Sequence, residues 1–201
     1  MEYRAVKNRC AVALSSLGLQ ISKEDALEVL NRKGFKQIDI DIIQIARSCV
    51  GSSSYRRGSR LSEAPNFFDC SSFTKWLYGL RGVWLPRRSI QQSELGECVD
   101  VSSIESGDLI FVSGWINYYH VDPSFGIGHV GIATDQKTVI HASNSKVGII
   151  ESPIEIFMCE PKYRMVKRYI AKDLEVTTLV TPKEREVETS SDIKWILCQE
   201  L

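Results

Sequence analysis

Cys70, His129 and His141 are the residues of this chain whose types and settings suit covalent chemistry. Cys70 follows Phe67-Phe-Asp69 and opens a pattern, Phe73, Trp76, Leu77 and Leu80, that puts four apolar side chains on one helical face. A thiol at a helix N-terminus meets unpaired backbone N–H groups and the positive end of the helix dipole, and both favour the thiolate. Of the three histidines, His129 opens the β-type run Gly128-His-Val-Gly-Ile132 and His141 lies in Val139-Ile-His-Ala-Ser143. Asp135-Gln-Lys137 between them has the composition of a turn, so the spacing predicts a hairpin with both imidazoles on one face. A cysteine nucleophile, a histidine base and a third polar group that orients the base are what thiol acyl transfer requires. Blander readings stand beside this one: a small buried hydrophobe before a helix, structural strand histidines, or a Cys-His-His zinc set. Against zinc, the chain has no Cys-x-x-Cys and no metal-binding helix motif.

Positioning these residues takes helices first and strands after. Val6, Cys10, Ala13, Leu14 and Leu17 follow helical spacing and predict a helix over 3–17. Ser22 as N-cap, Glu24 and Asp25 in the first turn and Gly34 at the stop predict a second helix over 23–33. A third, nearly all apolar and therefore buried, is expected over 39–49, and a fourth over 71–80. The pattern then changes to short β-type runs at 108–112, 129–134, 138–141, 147–151 and 163–170. Helices followed by consecutive strands give the α+β class, an antiparallel sheet packed against helices with the nucleophile at a helix N-terminus. The expected organisation is a helical N-terminal extension over 1–38, a central domain over 39–170 and an acidic C-terminal tail over 171–201.

Composition narrows the function. The 43% apolar and 25% charged fractions are those of a soluble globular protein, and 25 Lys and Arg balance 25 Asp and Glu. Without a basic excess, neither nucleic acid nor a membrane surface is an expected partner. The tail carries four Lys and Arg against seven Asp and Glu, a net −3 that leaves +3 on the first 170 residues. Arg56, Arg57, Arg60, Arg81, Arg87 and Arg88 lie close together there, as a solvated face or as a carboxylate-binding rim. The six cysteines, at 10, 49, 70, 98, 159 and 198, are too widely spaced for a small disulfide scaffold. Cys10 and Cys49 are expected on apolar helix faces. No apolar run reaches the roughly 18 residues of a membrane span. The N-terminal apolar stretch is broken by serines, so no clear signal peptide is read, and a cytoplasmic location or another export route is expected.

Several blocks together resemble the NlpC/P60 family of papain-like cysteine peptidases, which cleave bacterial cell-wall peptides. They are Ile42-Ile-Gln-Ile-Ala-Arg-Ser-Cys-Val-Gly51, Tyr55-Arg-Arg-Gly58, Asp69-Cys-Ser-Ser72 and Leu85-Pro-Arg-Arg-Ser-Ile-Gln-Gln92, followed by Gly107-Asp-Leu-Ile-Phe111, Gly128-His-Val-Gly-Ile132 and Ile140-His-Ala142. The blocks cover a little over half of the chain. The resemblance implies a papain-like fold, Cys70 as nucleophile, His129 as general base and His141 as the residue that orients it, with no metal and no cofactor. It matches Tyr55 to a tyrosine that lines the site and helps stabilise the oxyanion. It also sets Asp69 and Ser71 where family members contact the amino group of short peptides. Two departures stand out: Ser72 replaces the family's usual glycine, and the 113–127 connection is long, with Trp115, Tyr118, Tyr119 and Phe125 available to wall a cleft. His120 in that connection is expected to be merely exposed. Permuted relatives that act on lipid esters carry the histidine ahead of the cysteine, so the order Cys, His, His disfavours them.

The implied activity is hydrolysis of an amide in a short peptide, above all the γ-D-glutamyl–diamino-acid bond of a peptidoglycan stem peptide or muropeptide. The alternatives are an isopeptidase, deamidase or acyltransferase using the same triad on another substrate, or a binding module with a vestigial site. Arg87, with Arg56 and Arg57 beside Tyr55, is expected to meet substrate carboxylates. Activity is expected to survive chelators and to be lost to alkylation concentrated on Cys70.

Overall fold

A computed structural model describes residues 2–200 of the chain. Its elements run β1 (Arg9–Val12), α1 (Lys23–Arg32), β2 (Lys36–Ile38), α2 (Ile42–Cys49), β3 (Ser54–Tyr55), β4 (Phe67–Phe68) and α3 (Cys70–Leu80). They continue with α4 (Ser89–Ser93), β5 (Glu97–Val99), β6 (Leu109–Val112), β7 (His129–Ala133), β8 (Thr138–Asn144) and β9 (Gly148–Pro153). Last come α5 (Ile154–Phe157), β10 (Tyr163–Arg168), β11 (Thr177–Val180) and α6 (Ser190–Cys198). The chain divides into two units, one of residues 42–77 and 85–169, the other of residues up to 41, 78–84 and from 170 onward. No described helix is long and apolar enough to cross a membrane.

The unit of residues 42–77 and 85–169 is built on a six-stranded sheet in the order β5-β10-β6-β7-β8-β9. Every pairing in it is antiparallel. Five of its strands fall where the short β-type runs predicted them. The sixth, β5, was not predicted, because Glu97-Cys-Val99 is short and mostly exposed. Ile110, Val112, Ala133, Val139, Phe157 and Val166 form an apolar cluster on this sheet, each fully buried Val or Ile side chain contributing about 1.5–3 kcal/mol. Helix α2 covers residues of the predicted 39–49 helix and buries Ile42, Ile43, Ala46 and Cys49. Helix α3 begins at Cys70 itself.

In the other unit the expectation of an N-terminal helix over 3–17 fails. Residues Arg9–Val12 form β1, and only Leu14–Leu17 make a 3₁₀ turn, closed by Gly18 in the left-handed conformation. The reason is burial on both faces: Cys10, Ala11 and Val12 are all enclosed, so the strand shows no alternation and its apolar run imitates a helix. Cys10 therefore sits in a strand core rather than on a helix face. β11 lies between β1 and β2, pairing Cys10 with Leu179 and Gln37 with Leu179. The residues expected as an acidic tail thus supply the central strand of a three-stranded sheet. They also supply α6, whose Thr189 N-cap accepts from the Ser191 N–H while Asp192 reaches back to the Thr189 N–H. Leu30, Phe35, Leu179, Ile193 and Leu197 close the core of this unit.

Gly82 is held in the same unit by a close backbone approach. Its φ is +76°, its carbonyl accepts from the Ala11 N–H at 3.1 Å, and a Cβ there would lie 2.7 Å from Ala11 N and from the Cys10 carbonyl carbon. Both the left-handed backbone and the contact exclude a side chain. Gly82→Ala is expected to lower stability by more than about 1 kcal/mol, read as a lower urea midpoint at unchanged slope.

Candidate active site

A buried carboxylate fixes the start of α3. Asp69 accepts from the Ser72 N–H at 2.8 Å and from the Gly58 N–H at 2.9 Å, so it caps the helix and ties it to the loop after Tyr55. Its own N–H donates to Ser59 Oγ at 2.8 Å and to Ser72 Oγ at 2.9 Å. Ser72, the departure from the family's glycine, is therefore used: its hydroxyl closes the cap. Arg87 forks onto Asp69, with Nη1 at 3.0 Å from both Asp69 Oδ1 and Ser71 Oγ, and Nη2 on Asp69 Oδ2 and on the Ser59 carbonyl at 3.0 Å. Burial alone would raise the Asp69 pKa, but the hydrogen bonds from Arg87, Ser72 and Gly58 and the Arg87 charge outweigh it and hold the carboxyl below its ordinary value.

Gln92 braces the same helix from behind. It is fully enclosed, accepts from Thr74 Oγ1 at 2.9 Å, and donates through Nε2 to the Ser71 and Pro86 carbonyls at 2.9 and 3.0 Å. Nothing in its sequence position marks this role, because the bonds join residues 18 and 21 apart.

The two histidines meet as the hairpin predicted. His129 Nε2 lies 2.9 Å from His141 Nδ1, and His141 Nε2 lies 3.1 Å from Ser152 Oγ on β9. Phe157 packs against both rings, at centroid distances of 5.6 and 4.8 Å. Gly131 makes room for this arrangement: a Cβ there would stand 2.4 Å from Val139 Cγ1 and 3.1 Å from both His141 Cβ and Phe157 Cζ. Ser152 and Gly131 escaped the sequence reading. The only available signal was their period-2 position on strands flanking the histidines.

Cys70, His129 and His141 line one cleft of about 1060 Å³, together with Tyr55, Asp69, Ser71 and Arg87. The Cys70 sulfur faces the Gly128 carbonyl at 4.0 Å. Burial, and then the Asp69 charge, push the Cys70 thiol up to about 11, against the opposing pull of N–H groups of Val130 and Ser71. The expectation that the helix N-terminus favours the thiolate is thus outweighed by desolvation. Burial also pushes both imidazoles well below their ordinary value, with mutual repulsion of the charged forms adding to it at His129. These shifts leave the resting trio at neutral pH as a thiol and two neutral imidazoles.

The arginines divide differently from the expectation. All the terminal N–H groups of Arg87 are spent on Asp69, Ser71 and Ser59, so a substrate carboxylate would have to displace Asp69. Both Asp69 oxygens are likewise taken. Arg56 pairs with Glu63 and stacks on Phe67. Arg57 and Arg88 are exposed on the cleft lining, Arg88 lying over the Tyr118 ring. His120 is exposed, as expected, and pairs with Glu94. Among the described residues no group of three or more His, Cys, Asp or Glu is placed to hold a metal ion.

Two expected outcomes follow from this geometry. The lowered Asp69 pKa contributes stability above the unfolded carboxylate value and loses it as pH falls through the folded value. Arg87→Gln leaves burial to raise that pKa, so acid unfolding followed by circular dichroism is expected to begin at higher pH than in wild type. Burial changes the order of alkylation expected from the helix position of Cys70: Cys98 is exposed, whereas Cys70 is half-buried with a raised pKa. With limiting iodoacetamide, peptide mapping is expected to find Cys98 modified first, while loss of activity follows the modified fraction of Cys70 alone.

Comparison with known proteins agrees with the fold. The model of the NlpC/P60 family matches residues 52–168. A probable endopeptidase of Corynebacterium glutamicum is 36% identical over 115 residues, covering 57% of this chain and 47% of that protein. A γ-D-glutamyl-L-lysine dipeptidyl-peptidase of Bacillus cereus is 29% identical over 103 residues, 51% of this chain and 29% of its own. The chain thus spans less than half the length of either relative. The crystal structure of an NlpC/P60 family protein from Bacillus cereus superposes with a TM-score of 0.53 at 25% identity, covering 65% of this chain and 40% of that one. With half of its length matched, its papain-like α+β fold shared and the expected cysteine and histidines gathered in one cleft, the chain belongs to the NlpC/P60 family.

Proposed function

We propose that this protein is a thiol endopeptidase that hydrolyses the γ-D-glutamyl–diamino-acid bond of peptidoglycan stem peptides. The observation that carries the reading is the Cys70 thiol and the His129–His141 pair on one cleft in a chain of this family. A γ-D-glutamyl-L-lysine bond is named for the B. cereus relative, which supports the choice of linkage.

In this reading Cys70 gives its proton to His129 and the sulfur attacks the γ-carbonyl carbon. Transfer costs the charged pair its hydration, but the imidazolium and thiolate form side by side, so each charge stabilises the other. Tyr55 is half-buried beside Cys70 and supplies a hydroxyl for the developing oxyanion. The C–N bond breaks as His129 returns its proton to the departing amine, leaving a thioester on Cys70. Water, deprotonated by His129, then hydrolyses the thioester, releasing the γ-carboxylate product and restoring the thiol. His141 holds the His129 ring through the 2.9 Å bond and is itself anchored by Ser152. Asp69, Ser71 and Arg87 act here as a positioning set beneath Cys70, and Arg57 meets the free carboxylate beside the γ-linkage.

The test is turnover of a defined stem tripeptide, with product masses locating the cut. Cys70→Ala and His129→Ala are expected to lose at least about 10³-fold in kcat, whereas His141→Gln keeps part of the rate because an amide still bonds the His129 ring. Arg57→Ala is expected to raise KM, more so with added salt, with a smaller change in kcat. Wild-type turnover by Cys70→Ala, or a cut at another bond, would overturn the reading.

A further inference from the structure

Among the described residues, the most exposed large apolar side chains stand on one connection, residues 113–127, between β6 and β7. Trp115 is 99% exposed, Val121 91% and Phe125 72%. The connection is not a loose strand. Gly114 and Asn117 bond each other reciprocally, the Asn117 side chain accepting from the Gly114 N–H at 2.7 Å and donating back to the Gly114 carbonyl at 3.3 Å. Tyr118 and Ile127 exchange both backbone bonds at 2.9 and 3.0 Å. Arg164 Nε holds the Gly126 carbonyl at 3.1 Å, and Arg88 lies over the Tyr118 ring at 5.2 Å. Gly128, at the return, leaves no space for a side chain, because its Cβ would fall 2.3 Å from the Ile116 carbonyl oxygen.

Trp115 is therefore presented by a pinned backbone, with both ring faces open to water. It is also a lining residue of the cleft that contains Cys70, as are Ile116 and Tyr118. A flat, unpaired indole beside polar groups is the chemistry that recognises a pyranose ring: the apolar C–H face lies on the aromatic face while hydroxyl and amide groups bond the rim. Arg88, Ser143, Asn144 and Lys162 line the same cleft and supply such a rim. The cleft, at about 1060 Å³, is at the top of the range for a drug-sized ligand and exceeds what two amino-acid residues fill.

We propose that Trp115 is a sugar-binding platform at the cleft mouth, stacking on a pyranose ring of the amino-sugar chain from which a stem peptide hangs. The inference deepens the peptidase reading and rests on it for the identity of the glycan. It makes the preferred substrate a disaccharide-linked stem peptide rather than the free peptide.

Two measurements separate it from that reading. The first is calorimetric titration of the protein with the peptide-free N-acetylglucosaminyl-N-acetylmuramic acid disaccharide, which needs no turnover. Heat of binding is expected for wild type, with weaker binding for Trp115→Ala and partial recovery for Trp115→Phe. The second is the ratio of kcat/KM for a disaccharide-linked stem peptide to that for the same free peptide. The ratio is expected to exceed one by about two- to tenfold, the scale of an aromatic stacking contact, and to approach one in Trp115→Ala. Absence of disaccharide binding up to millimolar concentration overturns the platform whatever the peptidase does. A ratio near one, or the same ratio in Trp115→Ala, overturns it while leaving the peptidase reading intact. Binding without turnover of either substrate supports the platform and counts against the peptidase. Trp115-dependent sedimentation with phosphatidylglycerol vesicles, without disaccharide binding, would assign the connection to a lipid surface and overturn the proposal.

Discussion

The placement of Cys70 depends on one buried carboxylate. Asp69 precedes the thiol by a single residue, and its two oxygens receive the Ser72 and Gly58 N–H groups and the Arg87 fork. Removing an ion of this kind from water costs several kcal/mol, and only a nearly complete set of donors offsets it. That requirement gathers three separate stretches of sequence: the loop at Gly58 and Ser59, the first turn of α3, and the segment that carries Arg87. Gln92 then ties the first turn of the helix to Pro86. Cys70 inherits its position from this assembly. The same negative charge also raises the thiol pKa, so the group that places Cys70 works against its ionisation.

The sheet supplies the opposing half. Antiparallel pairing of β7 with β8 brings His129 to His141, and pairing of β8 with β9 brings Ser152 behind them. Phe157 and Gly131 let the imidazoles pack closely, at the expense of their solvation. Low dielectric favours the uncharged trio at rest. It also strengthens the attraction between a thiolate and an imidazolium wherever such a pair forms.

Much of this was legible in the sequence for physical reasons. Cys70 stood at a helix start, and the histidines fell on two short β-type runs set apart by the turn-forming Asp135-Gln-Lys137. The N-terminal strand was not legible: Cys10, Ala11 and Val12 are enclosed on both faces, which erases the period that separates strand from helix. β11 was hidden for a different reason. Its partners lie some 140 and 170 residues earlier in the chain, and a four-residue run gives no hint of them. Gly131, Ser152 and Gln92 acquire meaning only from register and burial. Arg87 was legible as a guanidinium near the site, but its partner was not. A fork suited to a substrate carboxylate is equally suited to Asp69, and the nearer, buried carboxylate holds it.

The central claim is that Cys70 sulfur becomes covalently attached to the γ-glutamyl acyl group, and intact-mass spectrometry tests it most directly. Enzyme mixed with a stem tripeptide is quenched in acid within its first turnover, which preserves a thioester. The account predicts a mass increase equal to the L-alanyl-γ-D-glutamyl acyl fragment, mapped by peptide digestion to Cys70 and absent in Cys70→Ser. Product released with no adduct at any time point, or an adduct mapped to Cys98 or to another residue, would contradict it.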